Sequence, residues 1–472
     1  MINKIKANGH VVLMVMAPVA LMGFLFTQNG ASQKSPSPNT PSVVISDIIT
    51  QPRLGWAVIY WTTDVPTTGI VDYGKTESYG LISDWGDGSA TVKHFAYLTG
   101  IGEGTNHFRI TATDPKTGKS VVSSNQTVTI YPVVSGCKKE LRVPEDYRHI
   151  QAAVDAACFG GTVYVGPGEY REVVSNGGGV SLIGAGASKT TIRGPGSGDG
   201  GTGPTTVHLS VSIVDLNRDG QFEHYVPTLS GFTITSDYIN EAGKRDDVYA
   251  FGGYAEGSIG VTVRSGPADR PTIKNNVFRN LDKGVFLIQY DEPAIIINNT
   301  FIGGRNQDYA ILMSISSGTP HPYPATLIEN NAILDYEKAG VWILCPLLCD
   351  FLRPTDFTIQ YNNTWRNKKD YLFTENLTTR VSETVNSPQW SYHLSRTQLP
   401  AKTQYDPTSK NGNISADPLF VNFGAGDYHE RAGSPHIDAG NPKSDFSLEP
   451  QPNGGRVNMG AYGNTLEAAP IK

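Results

Sequence analysis

The sequence predicts an all-β protein: a β-sandwich, then a parallel β-helix whose open end is capped by a short helix. Three observations carry that expectation. The 472 residues include 51 Gly and 30 Pro and only 17% charged residues, a composition of turns and short strands. Between residues 43 and 131, short runs of alternating apolar and polar residues follow one another, separated by turn residues. Further on, Asn-Asn pairs recur at 275, 298, 330 and 362, spaced by 23, 32 and 32 residues.

The chain opens with Lys4 and Lys6, an apolar run from Val11 to Phe26, and a polar stretch ending at Ala31-Ser32. This is the layout of a signal peptide, residues 1–31, and it implies a secreted, periplasmic or cell-surface protein. The run is short for a spanning helix and contains Pro18, although an uncleaved anchor has the same layout. No later stretch is apolar for long enough to span a membrane. The net charge of −6 gives no reason to expect nucleic acid as a partner, and a monomer is expected. Residues 32–42, SQKSPSPNTPS, read as an extended linker. Four cysteines in an exported chain suggest disulfides, and locality pairs Cys137 with Cys158 and Cys345 with Cys349.

From residue 43 the strands begin. WAVIYWTTD alternates with period two, and TTGIVDYG, KHFAYLTGI, HFRITATD and SNQTVTIYP follow. About seven strands in about 90 residues suit a sandwich. IYWTTDVPTTGIVDYG, HFAYLTGI and HFRITATDPKTG together resemble the fibronectin type III-like domain of secreted hydrolases. The resemblance covers 43–131, implies that Trp61 is the buried core tryptophan, and implies a spacer or recognition module.

VPEDYRHIQAAVDAACFGG has apolar residues at helical spacing, which predicts a helix over Tyr147–Ala157. It would close the open end of a stack, where backbone and core are otherwise bare. GTVYVGPGEY, GVSLIGAGA and KTTIRG are strands ended by glycine. A unit of about 23 residues with three strands and three turns is one rung of a parallel β-helix. An inward Asn at the same bend of each rung can bond the Asn above and below, and Phe278, Phe301, Ile333 and Trp365 are expected to stack inside. IQAAVDAACFGGTVYVGPGEYRE with VSLIGAGASKTTIRG, and the later ADPLFVNFGAGDYHERAGSPHIDAGNP with GGRVNMGAYG, resemble the pectin-lyase-like right-handed parallel β-helix superfamily over residues 138–463. That resemblance implies a fold shared by lyases, hydrolases, epimerases, esterases and adhesins, so it leaves activity open.

In relatives that cleave polysaccharide, the groove lies along the strands here written GVTVR, GVFLIQY, YAILMSI, GVWILC and YLFTE. Alternation is expected to put Val261, Val285, Leu312, Val341 and Leu372 inward. Outward would go Thr262, Arg264, Phe286, Tyr290, Ile311, Met313, Trp342, Phe373 and Glu375. Aromatic rings stack on sugars, so Phe286, Tyr290, Trp342 and Phe373 are candidate substrate-binding residues, with Arg264 and His321. The alternative is that a loop or the sandwich packs over them.

The turns after these strands are polar and would align Asp269 and Arg270, Asp291 and Glu292, His321 and Tyr323, and Arg353 and Asp356 along one edge. The opposite edge, with Asp282-Lys283, Arg305, Asp308, Glu337-Lys338 and Lys368-Lys369, reads as a solvated face of mixed charge. The candidate catalytic set is Lys283 as base with Asp291, Glu292 and Arg353. VDLNRDGQFEHY spaces oxygen donors at Asp215, Asn217, Asp219, Gln221 and Glu223 like the start of a calcium loop, but Val226 occupies the position of the closing acid. Calcium bound there would stiffen the loop. Asp246-Asp247 resembles the paired acids of β-helix hydrolases, whose companion Asn-Thr-Asp and Arg-Ile-Lys triplets are absent, as is the lyase Arg-x-Pro-x-x-Arg motif. Two functions follow as expectations: a polysaccharide-active lyase or hydrolase on acidic glycans, or a non-catalytic protein that binds glycans or a cell surface.

Overall fold

One strand, Ala57–Gly74, is 18 residues long and serves two sheets. Its first half pairs antiparallel with Ile45–Pro52 and Thr91–Leu98, and its second half with Leu81–Ser83 and Gly104–Thr113. The register slips between Thr62 and Thr67, where the strand passes from one sheet to the other. Ser120–Val122 and Gln126–Ile130 complete the second sheet. Alternation turns Ile59 and Trp61 of one half and Val71 and Tyr73 of the other into a common core with Leu98, Phe108 and Ile110. Trp61 is buried and stacks on His94, with 5.0 Å between ring centroids.

This computed structural model describes residues 43–83, 90–133, 135–196, 204–215, 220–238, 257–265, 269–287, 293–314, 326–345, 357–375 and 412–471, all within the compact unit Val43–Lys472. Among them no helix is long and apolar enough to cross a membrane. The signal segment, the linker and Asp246-Asp247 lie outside the described residues.

Lys138–Val143 adds a strand to one parallel sheet; from Ala157 on, each rung contributes one strand to each of three parallel sheets, and this part of the chain is a right-handed parallel β-helix. One rung reads Thr272–Lys274, Val277–Arg279, Lys283–Leu287, which we call the first, second and third faces. The core is a set of columns. Leu141, Val163, Leu182, Leu229, Ile273, Ile296, Ile328 and Ile359 are in register down the first face. Each is at most 2% exposed, and burying such a side chain stabilises the fold by about 2 kcal/mol.

The asparagine repeat is a ladder at the bend between the first and second faces. Asn276 Nδ2 donates to Asn299 Oδ1 at 3.2 Å, Asn299 Nδ2 to Asn331 Oδ1 at 3.0 Å, and Asn331 Nδ2 to Asn362 Oδ1 at 2.9 Å. Asn362 continues the ladder to Asn413 at 3.2 Å. The fourth pair is therefore out of phase by one. The residue before each ladder position is left-handed, with φ of 54°, 50° and 57° at Asn275, Asn298 and Asn330, and 53° at Tyr361. In the last rung Tyr361 takes that conformation, so Asn362, the first of its pair, enters the ladder. Trp365 is corrected for the same reason: Thr364 aligns with Ile333, while Trp365 aligns with Leu334 in an outer cluster.

The outward asparagines hold the closing segment. Asn275 Nδ2 donates to the carbonyl of Gly463 at 2.8 Å, Asn298 Nδ2 to that of Asn458 at 2.8 Å, and Asn330 Oδ1 accepts from the amide of Asn441 at 2.7 Å. Tyr428, Ala461 and Tyr462 thereby cover Val277, Ile302 and Leu334 on the second face.

At the other end, the capping helix runs Ile150–Ala156, shorter than the expected Tyr147–Ala157. The Cys137–Cys158 disulfide ties its two flanks, with S–S 2.04 Å. The Cys345 side chain and Cys349 lie outside the described residues. His149 provides no side-chain cap for the helix. Instead the buried Glu172 carboxylate accepts from the amides of Ile150 at 3.0 Å and Gln151 at 2.9 Å. Burial pushes the Glu172 carboxyl from 4.5 up to about 7, against the pull of those two amides and of Arg53.

The sign follows from proton binding. Between the two values the folded state holds the proton and the unfolded chain releases it, so stability falls as pH rises through that window. Above the folded value the full penalty is about 3 kcal/mol. We expect Glu172→Gln to remove this slope. Urea midpoints of wild type and variant, compared at about pH 5 and about pH 8, should diverge in the variant's favour at the higher pH; parallel changes would contradict it.

The N-terminal unit is docked on this capped end. Gln51 bonds both backbone groups of Val173, at 2.6 and 3.0 Å. Trp56, Val58, Tyr60 and Phe95 pack around Val173. Lys93 Nζ donates to the carbonyl of Asp237 at 2.8 Å.

Candidate functional site

Register decides which side chains leave the third face. The outward column runs Ser175, His208, Thr262, Phe286, Leu312, Trp342 and Leu372. This corrects the expected alternation at two rungs. Ile311 and Met313 face the core beside Val341 and Ile343, and Leu312 faces out. Leu372 pairs with outward Trp342, and Phe373 pairs with inward Ile343. A strand read alone fixes its alternation but not its phase, and YAILMSI and YLFTE are apolar enough for either phase.

The column changes character along the stack. Its later half is apolar and buried: Leu312 is 0% and Trp342 3% exposed, and Trp342 lies 4.6 Å from Tyr309. Phe286 belongs to the same cluster. The expected open aromatic platform is thus an interior packing surface at Trp342. Among the described residues, the cluster around Trp342 holds no side chain of the N-terminal unit.

The earlier half is polar and opens on a cleft of about 740 Å³. Ser175, His208 and Ser210 line it from the third face, Arg264 from the next rung, Asp155 from the capping helix, Phe159 from the strand Ala157–Val165 that follows it, and Arg53 from the N-terminal unit. His208 Nδ1 is 2.8 Å from the Thr262 hydroxyl, which fixes the ring. Arg264 pairs in register with Ser210 and is exposed. Phe159 is 43% exposed and its ring stacks on Tyr225 at 5.8 Å. Arg53 donates Nε to Asp155 Oδ2 at 2.5 Å and Nη2 to Oδ1 at 2.7 Å, and its guanidinium lies 4.5 Å from the Trp56 ring. The cleft thus joins a cation, an exposed aromatic ring, an imidazole and hydroxyls, and the one carboxylate among its described lining residues is already held by an arginine.

The stretch read as a calcium loop is a hairpin beside this cleft. Ser212–Val214 pairs antiparallel with Glu223–Tyr225. Asp215 Oδ2 accepts from the amide of Gly220 at 2.9 Å, Glu223 accepts from the Tyr225 hydroxyl, and His224 Nδ1 lies 2.7 Å from Asp269 Oδ2. Asn217 and Asp219 lie outside the described residues, and Gln221 is exposed. Among the described residues no group of three His, Cys, Asp or Glu side chains could hold a metal. An ion here would have to draw Glu223 away from Tyr225.

Of the expected site residues, Arg264 reaches the cleft. Lys283 does not line it: it is 2% exposed and begins its strand in register with Ile259 and Tyr309. The edge read as solvated is divided: Arg305, Glu337 and Lys368 are exposed, whereas the part around Lys283 is closed. Asp282 is 3% exposed and accepts from the Ser258 amide at 2.7 Å, and Asp308, 7% exposed, accepts from Lys338 at 3.2 Å. Stacked turns use these charges on each other. Tyr290, Asp291, Glu292, His321 and Arg353 lie outside the described residues. His208, Phe159, Asp155 and Arg53 were missed. His208 had a signal, because Val207 and Leu209 flank it in VHLSVSIV and put it outward. The Arg53–Asp155 pair, 102 residues apart, had none.

No family model and no curated protein matches this chain. Among solved structures it is similar to a family 28 exopolygalacturonase from Yersinia enterocolitica, at 11% identity and TM-score 0.19, covering 70% of this chain and 87% of that one. It is also similar to the pectate lyase PelI from Erwinia chrysanthemi in complex with tetragalacturonic acid, at 10% identity and TM-score 0.17, covering 71% and 78%. Likeness of this size carries no argument about activity, and the fold rests on the strand pairing above.

Proposed function

We propose that this is an exported, polysaccharide-active β-helix protein that takes an acidic glycan into the cleft at the capped end of the third face. The observation that carries the reading is the polar head of the outward column, Ser175 and His208, opening toward Arg264 and Phe159. An exposed ring offers a flat apolar surface to a pyranose face, and a guanidinium matches a uronate carboxylate with two parallel hydrogen bonds. Hydrolysis through a carboxylate pair suits the described lining poorly, since Asp155 is its one acid and is bound to Arg53. β-Elimination needs a base and a cation on the uronate; Arg264 is the cation, and His208 would have to turn to serve as the base, because its Nδ1 meets Thr262 and its Nε2 is enclosed. The base takes the proton α to the carboxylate, the electron pair becomes the double bond, and the glycosidic oxygen leaves with a proton. A second reading, binding without turnover, is favoured by the buried apolar half of the column, which confines the open polar surface to the first rungs.

The test is a panel of uronate polymers, polygalacturonate among them, with neutral glycans as controls, each with calcium and with chelator. Binding, ultraviolet absorbance and reducing ends are followed together. Uronate binding that Arg264→Ala weakens by about tenfold or more supports the cleft. Absorbing product adds elimination, and binding without product selects the second reading. Absence of uronate binding, or full binding by Arg264→Ala, overturns the assignment. A melting temperature raised by calcium and lowered by chelator would support the ion at Asp215 and Glu223.

A further inference from the structure

We infer that Arg53 of the N-terminal unit is a positioning residue of the cleft, so that this unit is a working part of the site and not a spacer. The inference rests on the glycan reading only for its ligand. Its structural basis is a chain of contacts from one unit into the other. Trp56 backs the Arg53 guanidinium at 4.5 Å, and Arg53 grips both oxygens of Asp155. Asp155 Oδ1 also accepts from Gln151 Nε2 at 2.8 Å. The Gln151 side chain then holds both backbone groups of Ser175: its Nε2 donates to the carbonyl at 3.1 Å and its Oε1 accepts from the amide. Ser175 heads the outward column that floors the cleft, one rung before His208.

Within the capping helix, Asp155 is held through Gln151. The helix is seven residues long and its first two amides are taken by Glu172, leaving Gln151 and Asp155 one turn apart on the side toward the cleft. An unpaired Asp155 would be a carboxylate in the cleft, repelling a uronate. Paired with Arg53 it is neutralised, and Gln151 keeps its oxygen aimed at Ser175. Arg53 thus acts in two ways: it cancels the one negative charge among the described lining residues and it fixes the first strand of the floor.

The experiment uses the whole chain and three variants: Arg53→Ala, Arg53→Lys and the control Lys93→Met. Lys93 bridges the same two units at Asp237, away from the cleft. Two quantities are read, affinity for the uronate polymer and hydrogen exchange of the Ser175 amide in the free protein. Arg53→Ala is expected to weaken affinity by about tenfold or more and to speed Ser175 exchange by a similar factor. Arg53→Lys, which keeps the charge and loses the paired bonds, should recover part of the affinity. Lys93→Met should leave both quantities near wild type. Wild-type affinity and exchange in Arg53→Ala, or equal losses in Arg53→Ala and Lys93→Met, overturn the inference. If the wild-type chain binds no uronate polymer, the glycan reading fails, and the exchange contrast between Arg53→Ala and Lys93→Met still decides the positioning role.

Discussion

Replacing Asn331 by alanine is expected to lower the free energy of unfolding of the β-helix by about 4 kcal/mol. The side chain is fully buried and works in five hydrogen bonds. Its Nδ2 donates to the carbonyls of Ile296 at 2.8 Å and Glu329 at 3.0 Å and to Asn362 Oδ1 at 2.9 Å. Its Oδ1 accepts from the amide of Asn299 at 2.9 Å and from Asn299 Nδ2 at 3.0 Å. Alanine removes these partners from groups that water cannot reach, and each such group left unsatisfied costs about 1–3 kcal/mol. Several lose only one of two partners, which keeps the sum near the lower end. Asn362→Ala should cost a similar amount, and Asn363→Ala should behave differently because Asn363 sits outside the ladder, bonding Ala416 and His436. Denaturant titration of the β-helix transition measures this; a loss under about 1 kcal/mol for Asn331→Ala would reject the ladder as a stabilising element.

Phe301→Ala is expected to cost about 4 kcal/mol through the cavity it leaves. The ring is 0% exposed and lies parallel to Phe278, with centroids 4.6 Å apart and planes 7° apart. Ile333 continues the column below. The rung was shaped around the ring: a Cβ at Gly284 would lie 2.7 Å from Phe301 Cδ1, so glycine there makes the room. Parallel strands above and below cannot collapse into the gap without breaking their ladders, which argues for the upper half of the range for such truncations. Phe278→Ala together with Phe301→Ala should be less costly than the sum by about 1 kcal/mol, the coupling of a stacked pair. Additive losses would show that the rings are packed independently.

Much of the fold was legible because stacking writes itself into sequence as a period. The asparagine ladder needs one amide at one bend of each rung, so it survives inserted loops as a recurring pair. The alternation of WAVIYWTTD was legible, with Trp61 inward, but that run and TTGIVDYG read as separate strands where the structure has one, Ala57–Gly74. Legibility failed by one residue in two ways. Where Tyr361 adopts the left-handed conformation that asparagine takes elsewhere, the pair at 362 misreports the register. Where a strand is apolar on both faces, as in YAILMSI, alternation has no phase.

The candidate site was much less legible. The period of the stack, the bend that carries the ladder, the capping helix and one cleft residue, Arg264, can be read along the chain. Each of these is a local or periodic pattern that the chain repeats. The burial of Leu312 and Trp342 in the outward column, the enclosure of Lys283 and the meeting of Arg53 with Asp155 across 102 residues emerge from the packing of the folded chain. The reason is physical. A side chain's outward direction is set by its own strand, but its exposure and its charge partners are set by whatever else packs there, and no periodicity records that packing.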